Sequence, residues 1–188
     1  MKKISGKFRY IAVAALVTAF LIFLDQLSKR IVVYYIPYPD APTYDVIPYL
    51  FNVTHVRNTG AAFSFGADSA IAMPIFIAVT AVCLVVLAFA IAKWGKRSKL
   101  LLSALCLIFA GSAGNLIDRL TNFGADGKRY VVDFIRFTFW PQFATFNFAD
   151  VCVCVGAVLF LIYVLFFEGR KEKREKKKDL AKGDGGNA

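Results

Sequence analysis

The chain has 188 residues, of which 58% are hydrophobic, and its 23 Lys and Arg against 13 Asp and Glu give a net charge of +10. That length supports one domain, and that apolar fraction is too high for an ordinary soluble one. The positive charge is confined to short stretches between long apolar runs, which argues against a nucleic-acid partner and for a membrane protein.

Residues 1–9 are polar and basic, and residues 10–24 carry no charge. No A-x-A-like cleavage site ends this run and further apolar runs follow, so it reads as a first membrane span over about residues 10–26 rather than as a signal peptide. The sequence DQLSK (25–29) closes it. Asp25 and Lys29 are four apart and can pair if the helix continues; the alternative is an ordinary polar helix end. Residues 31–66 change character. The β-branched and aromatic stretches IVVYY and VIPYLFNVTHV, broken by prolines and aspartates, predict a small β-rich module at the membrane face. This segment ends in VRNTGAAFS (56–64). Asn58-Thr59-Gly60 is a turn signal, and Gly60 and the alanines after it would let a peptide backbone approach closely, unless the segment is a plain turn.

A second span is expected at 69–92, followed by a basic loop of Lys93, Lys96, Arg97 and Lys99. The third, at 100–118, ends in GSAGNLIDR (111–119), whose small residues permit close helix packing. Asn115, Asp118 and Arg119 fall at i, i+3 and i+4, so one face of this helix end is polar. A helix facing only lipid would not carry that face. Residues 119–148 read as an outer loop, first glycine-containing and then aromatic. Asn147 and Asp150 are i, i+3, and Asn147 can cap a fourth span at 150–167. Residues 1–168 thus read as a single four-helix membrane domain, and 169–188 as a charged tail with a disordered Gly/Asp-rich end.

Four spans put both termini on one side. That side collects 16 Lys and Arg and the other side 7, which places both termini in the cytoplasm. Asp25, Asn58, Asn115, Asp118, Arg119, Asp133, Asn147 and Asp150 then all converge on the outer membrane face. Asp133 lies in a Val/Phe-rich segment, and Asp150 stands at the mouth of VCVCVGAVLFLIYVLFF. An ionised aspartate at the edge of hydrocarbon is costly. Two near one another are more so unless they share a proton or bind something.

The chemistry can be narrowed by elimination. Cys83, Cys106, Cys152 and Cys154 sit inside apolar runs as small hydrophobes, and C-x-C at 152–154 has no histidine near it. His55, the only histidine, lies in a strand-like segment, so neither a metal site nor a histidine triad is expected. Ser64 is the best-placed serine but has no evident base. A paired-aspartate site remains: one carboxylate takes a proton from water while the other donates to a carbonyl oxygen. Asparagines and an arginine would hold and polarise the substrate backbone. This predicts an aspartyl peptidase. Carboxylates that stabilise helix ends or form a proton or cation path stay open at this point, as does a non-catalytic assembly factor.

Five motifs then carry a resemblance. DQLSK (25–29), VRNTGAAFS (56–64), GNLIDR (114–119), VVDF (131–134) and FNFAD (146–150) together resemble the lipoprotein signal peptidase (signal peptidase II) family of bacterial membrane aspartyl proteases. The resemblance implies Asp133 and Asp150 as the catalytic pair. It implies Asn58, Gly60, Asn115, Arg119 and Asn147 as substrate-binding positions that would also meet a cyclic peptide antibiotic of the globomycin type. Asp25, Lys29 and Asp118 match positions with a structural character. The implied substrate is a diacylglyceryl-modified prolipoprotein cut just before its lipidated cysteine, processed by a monomer among membrane lipids in the bacterial plasma membrane, with no metal or organic cofactor. Two departures stand out. Gly111-Ser112 replaces a pair of glycines usual in the family, and the stretch from Arg119 to Val131 is longer than usual, with ADGKR (125–129) inserted.

Overall fold

The computed structural model describes residues 6–39, 41–60 and 71–168. In chain order these form α1 (Gly6–Tyr35), β1 (Tyr44–Ile47), β2 (Phe51–Asn58), α2 (Ala72–Trp94), α3 (Lys99–Thr121), β3 (Val131–Phe137) and α4 (Phe148–Tyr163), the last extended by a π-helical turn at Val164–Glu168. The protein is mainly helical. Four helices, Arg9–Tyr35, Ala72–Arg97, Lys99–Thr121 and Phe148–Phe167, are long and apolar enough to cross a membrane, and one three-stranded antiparallel sheet of order β1-β2-β3 accompanies them. The alanines and serine at 61–64 and the tail at 169–188 lie outside the described residues.

At 1.5 Å per residue, the 30 residues of α1 span about 45 Å. That exceeds the roughly 30 Å of a hydrocarbon core, so the helix is longer than a span requires. The β-branched stretch 31–35, expected as strand, is therefore helix. The reason is a continuous buried stripe at helical spacing: Ala14, Thr18, Asp25, Lys29, Val32 and Ile36. Val32 and Ile36 pack with Tyr130, Val132 and Phe134 and so seat the sheet on the end of α1. Asp25 and Lys29 are consequently interior positions of a helix, not its terminus.

The segment expected as an outer loop supplies the third strand. β3 pairs with β2 although α2 and α3 intervene in sequence, with Val56 opposite Asp133, Arg57 opposite Val132 and Asn58 opposite Val131. A bulge between Val53 and Val56 turns the buried His55 toward α1, where its Nδ1 lies 2.8 Å from the Ile36 carbonyl. The inserted ADGKR closes a tight hairpin. Gly127 adopts φ 75° and donates to the Gly124 carbonyl at 3.0 Å, Lys128 N donates to Asp126 Oδ1 at 3.1 Å, and Phe123 bridges to Arg129.

In the bundle, α3 touches α1, α2 and α4. Its small residues make that possible: a Cβ added at Gly111 would meet the Ala149 carbonyl oxygen, and one at Gly114 the Asp25 carboxylate. Ser112 is tolerated beside Gly111 because Gly111 makes the close approach to α4.

Candidate active site

Five elements bring the polar residues together: α1, the end of β2, the polar end of α3, the start of β3 and the start of α4. The chain enters α4 through a capping box. The Asn147 side chain accepts from Asp150 N at 3.0 Å, and Asp150 Oδ2 accepts from Asn147 N at 3.0 Å. The carboxylate is thereby fixed in the first turn, where the helix dipole favours negative charge. Its other oxygen, Oδ1, accepts from Asn115 Nδ2 at 2.8 Å.

Asp133 is 3% exposed. Its Oδ1 accepts from Asn147 Nδ2 at 2.6 Å and its Oδ2 from Asn58 Nδ2 at 2.9 Å. Asn58 is held in turn by Gly60, whose backbone N–H donates to Asn58 Oδ1 at 3.0 Å, so the Asn58 amide can only turn its N–H toward the carboxylate. Burial, and then the charge of nearby Asp150, push the Asp133 carboxyl up to about 7, against the opposing pull of the Asn58 and Asn147 amides and of Lys29. Asn147 is fully buried and links the two acids, donating to one and cradling the other.

Behind this pair lies an inner polar layer. Lys29 Nζ pairs with Asp25 at 2.9 Å and Asp118 at 3.2 Å, and donates to Asn115 Oδ1 at 2.9 Å. Asp25 Oδ1 accepts from Ala149 N at 3.0 Å, and Asp118 Oδ2 accepts from Val132 N at 3.0 Å. Ala149 and Val132 each immediately precede one aspartate of the pair. Arg119 leans on the Asn115 carbonyl through Nη1 at 3.3 Å, and its buried Nε has no hydrogen-bond partner among the described residues.

All ten residues singled out in the sequence fall in this region: Asp133, Asp150, Asn58, Gly60, Asn115, Arg119 and Asn147 at or beside the pair, and Asp25, Lys29 and Asp118 beneath it. Gln26 was missed. Its Nε2 donates to Asp25 at 3.1 Å, to the Gly114 carbonyl at 3.2 Å and to Asp118 at 3.0 Å. A signal existed, because an amide within a membrane helix demands partners as a charge does. Arg57 was passed over as well; its guanidinium lies between the rings of Tyr38 and Tyr130, at 4.3 and 4.7 Å. Among the described residues no group of three His, Cys, Asp or Glu is placed to hold a metal ion.

Chemically, this is a buried carboxyl that titrates near neutrality beside a second carboxylate held by a helix N-terminus, an arrangement suited to exchanging one proton with water and a substrate. Residues 17–166 match the family model described as signal peptidase (SPase) II. The lipoprotein signal peptidase of Borrelia garinii subsp. bavariensis is 41% identical over 79% of this chain and 86% of its own. That of Caldanaerobacter subterraneus subsp. tengcongensis is 38% identical over 83% and 97%. A solved bacterial membrane enzyme, determined by the in meso method at 2.3 Å, superposes with a TM-score of 0.72 at 31% identity, covering 83% of this chain and 89% of its own. The chain belongs to the signal peptidase II family, and so is a membrane protease.

Proposed function

We propose that the protein is an aspartic endopeptidase that removes the signal peptide from diacylglyceryl-modified prolipoproteins, cutting just before the lipidated cysteine. The observation that carries this reading is the pairing of Asp133 and Asp150 through Asn147 at the end of the bundle that also holds the sheet. Asp133, the more buried acid, holds the shared proton and donates it to the scissile carbonyl oxygen. Asp150 takes a proton from the attacking water. Asp150 then passes that proton to the leaving amine as the C–N bond breaks, a hydroxyl proton of the tetrahedral intermediate returns to Asp133, and the pair again holds one shared proton.

Asn58, Asn115 and Arg119 bind the substrate backbone around the pair, and the fully buried Asn147 holds the two acids in place for it. Gly60 leaves room for the substrate chain. A globomycin-type cyclic peptide would compete for the same groups. Both termini face the cytoplasm and the site opens near the outer leaflet, where a lipid-anchored substrate arrives by diffusion in the bilayer. The protein acts as a monomer.

The test is cleavage of a diacylglyceryl-modified prolipoprotein by the purified protein, Asp133→Asn and Asp150→Asn, with thermal melts alongside. Both variants are expected to lose cleavage while remaining folded. Wild-type cleavage by either folded variant would remove the pair from the mechanism. The ionisation of Asp133 sets the alkaline limit: above about pH 7 the shared proton is lost and kcat falls.

A further inference from the structure

Lys29 is 2% exposed in the interior of a membrane helix, a costly placement unless every proton is used. Its three N–H groups meet three acceptors, the carboxylates of Asp25 and Asp118 and the side-chain Oδ1 of Asn115. Each of these partners leads to the acid pair by a different route. Asp25 grips Ala149 N, one residue before Asp150. Asp118 grips Val132 N, one residue before Asp133. Asn115 reaches Asp150 directly.

The Asn115 amide shows the consequence most sharply. Its Oδ1 accepts from both Lys29 Nζ and Asn147 Nδ2, at 2.9 and 3.0 Å. With the oxygen so occupied, only its N–H side remains for Asp150. A rotated Asn115 would set its amide hydrogens against the Lys29 ammonium and the Asn147 amide, and its oxygen against a carboxylate. The cation under the site therefore decides which way the donor above it points.

Building on the aspartyl-pair reading, we propose that Lys29 is a positioning residue for the reaction: it sets the orientation of Asn115 and, through Asp25 and Asp118, the placement of Ala149 and Val132, and so the mutual geometry of Asp150 and Asp133. It touches no substrate. Its charge also acts on the pair, together with Asp25 on α1, Asp118 and Arg119 on α3, Asp133 on β3 and Asp150 on α4. Lys29 favours the ionised form of Asp133. Removing that charge keeps Asp133 protonated to higher pH, so the alkaline limb of kcat moves up.

The test compares Lys29→Met, Lys29→Gln and Lys29→Arg in the full chain. Each is measured with a diacylglyceryl-modified prolipoprotein for kcat, KM, pH profile and melting temperature. Lys29→Met is expected to lower kcat roughly 10²-fold with KM nearly unchanged, the scale of a misplacement near 1 Å. Lys29→Gln keeps an N–H for Asn115 and is expected to recover part of kcat, yet to share the raised alkaline limb. Lys29→Arg keeps the charge and the wild-type limb. Where Lys29→Met does not fold, Lys29→Met with Asp118→Asn removes one charge of each sign and is expected to fold with the same loss of kcat. A folded single or double variant with wild-type kcat and pH profile, and only a lower melting temperature, would reduce Lys29 to a packing salt bridge and overturn the proposal. Asp133→Asn and Asp150→Asn, run in parallel, separate that outcome from failure of the pair itself.

Discussion

α2 and α3 have the same length, 23 residues each, and both are apolar enough to cross a membrane. In α2 only Ala90 is buried. In α3 eight residues are: Leu101, Ala104, Leu105, Cys106, Ala110, Gly111, Gly114 and Asp118. α2 meets the bundle through one seam, where Leu87, Ala90, Ile91 and Trp94 pack on Leu100, Leu101, Leu105 and Tyr163, and it presents Ile75, Val79, Val82, Val85, Val86 and Phe89 outward. α3 holds neighbours on several sides and contributes Asn115, Asp118 and Arg119 to the site. Lipid is as apolar as leucine, so apolarity binds a helix to the membrane but not to another helix. Small residues and satisfied polar groups make the difference, and α3 has both.

The sharpest way to test this contrast is to fill the close approaches on α3. A methyl group at Gly114 would collide with the Asp25 carboxylate, which cannot swing away because Lys29, Gln26 and Ala149 hold it. Gly114→Ala is expected to cost about 1–3 kcal/mol of stability, read as a lower melting temperature. It is also expected to lower cleavage roughly 10²-fold through displaced site residues. Gly111→Ala would strike the Ala149 carbonyl and push on the first turn of α4, with an effect of the same kind. A Gly114→Ala protein with wild-type rate and melt would mean that α3 is no more tightly engaged than α2.

A smaller and more selective change is expected at Asn58. Its amide stabilises ionised Asp133. Asn58→Ala removes that bond, raises the pKa of Asp133, and so carries the alkaline limb of kcat to higher pH while kcat itself falls. A limb that stays in place, or moves down, would show that Asn58 acts only on substrate.

What the sequence made legible was local. The spans appear in windows of about twenty residues, the 25/29 and 147/150 spacings anticipate an ion pair and a cap because each is a local spacing, and the polar face of α3 shows in the five residues from Asn115 to Arg119. What stayed hidden depends on partners far along the chain. β3 is recognisable only once β2 is known to lie beside it, with α2 and α3 between them in sequence. The stretch 31–35 has strand composition, but Val32 and Ile36 continue the stripe of Asp25 and Lys29, and tertiary burial overrides propensity there. Gln26 was overshadowed by the charges on either side of it, although two of its three bonds join α1 to α3.

The smallest effect is expected on the outward face of α2. Val82→Leu and Val86→Leu exchange one apolar side chain for another at 64% and 61% exposure. With nothing but acyl chains against them, these changes should alter stability by less than about 0.5 kcal/mol and leave kcat and KM as they were. The alternative is informative because the proposed substrate would bring an apolar signal peptide, which has to lie against some face of the bundle. If that face were α2, bulkier side chains there would raise KM while kcat and the melting temperature held. Such a split would break the contrast drawn between the two helices, by giving α2 a role in docking substrate that its single buried residue does not otherwise suggest.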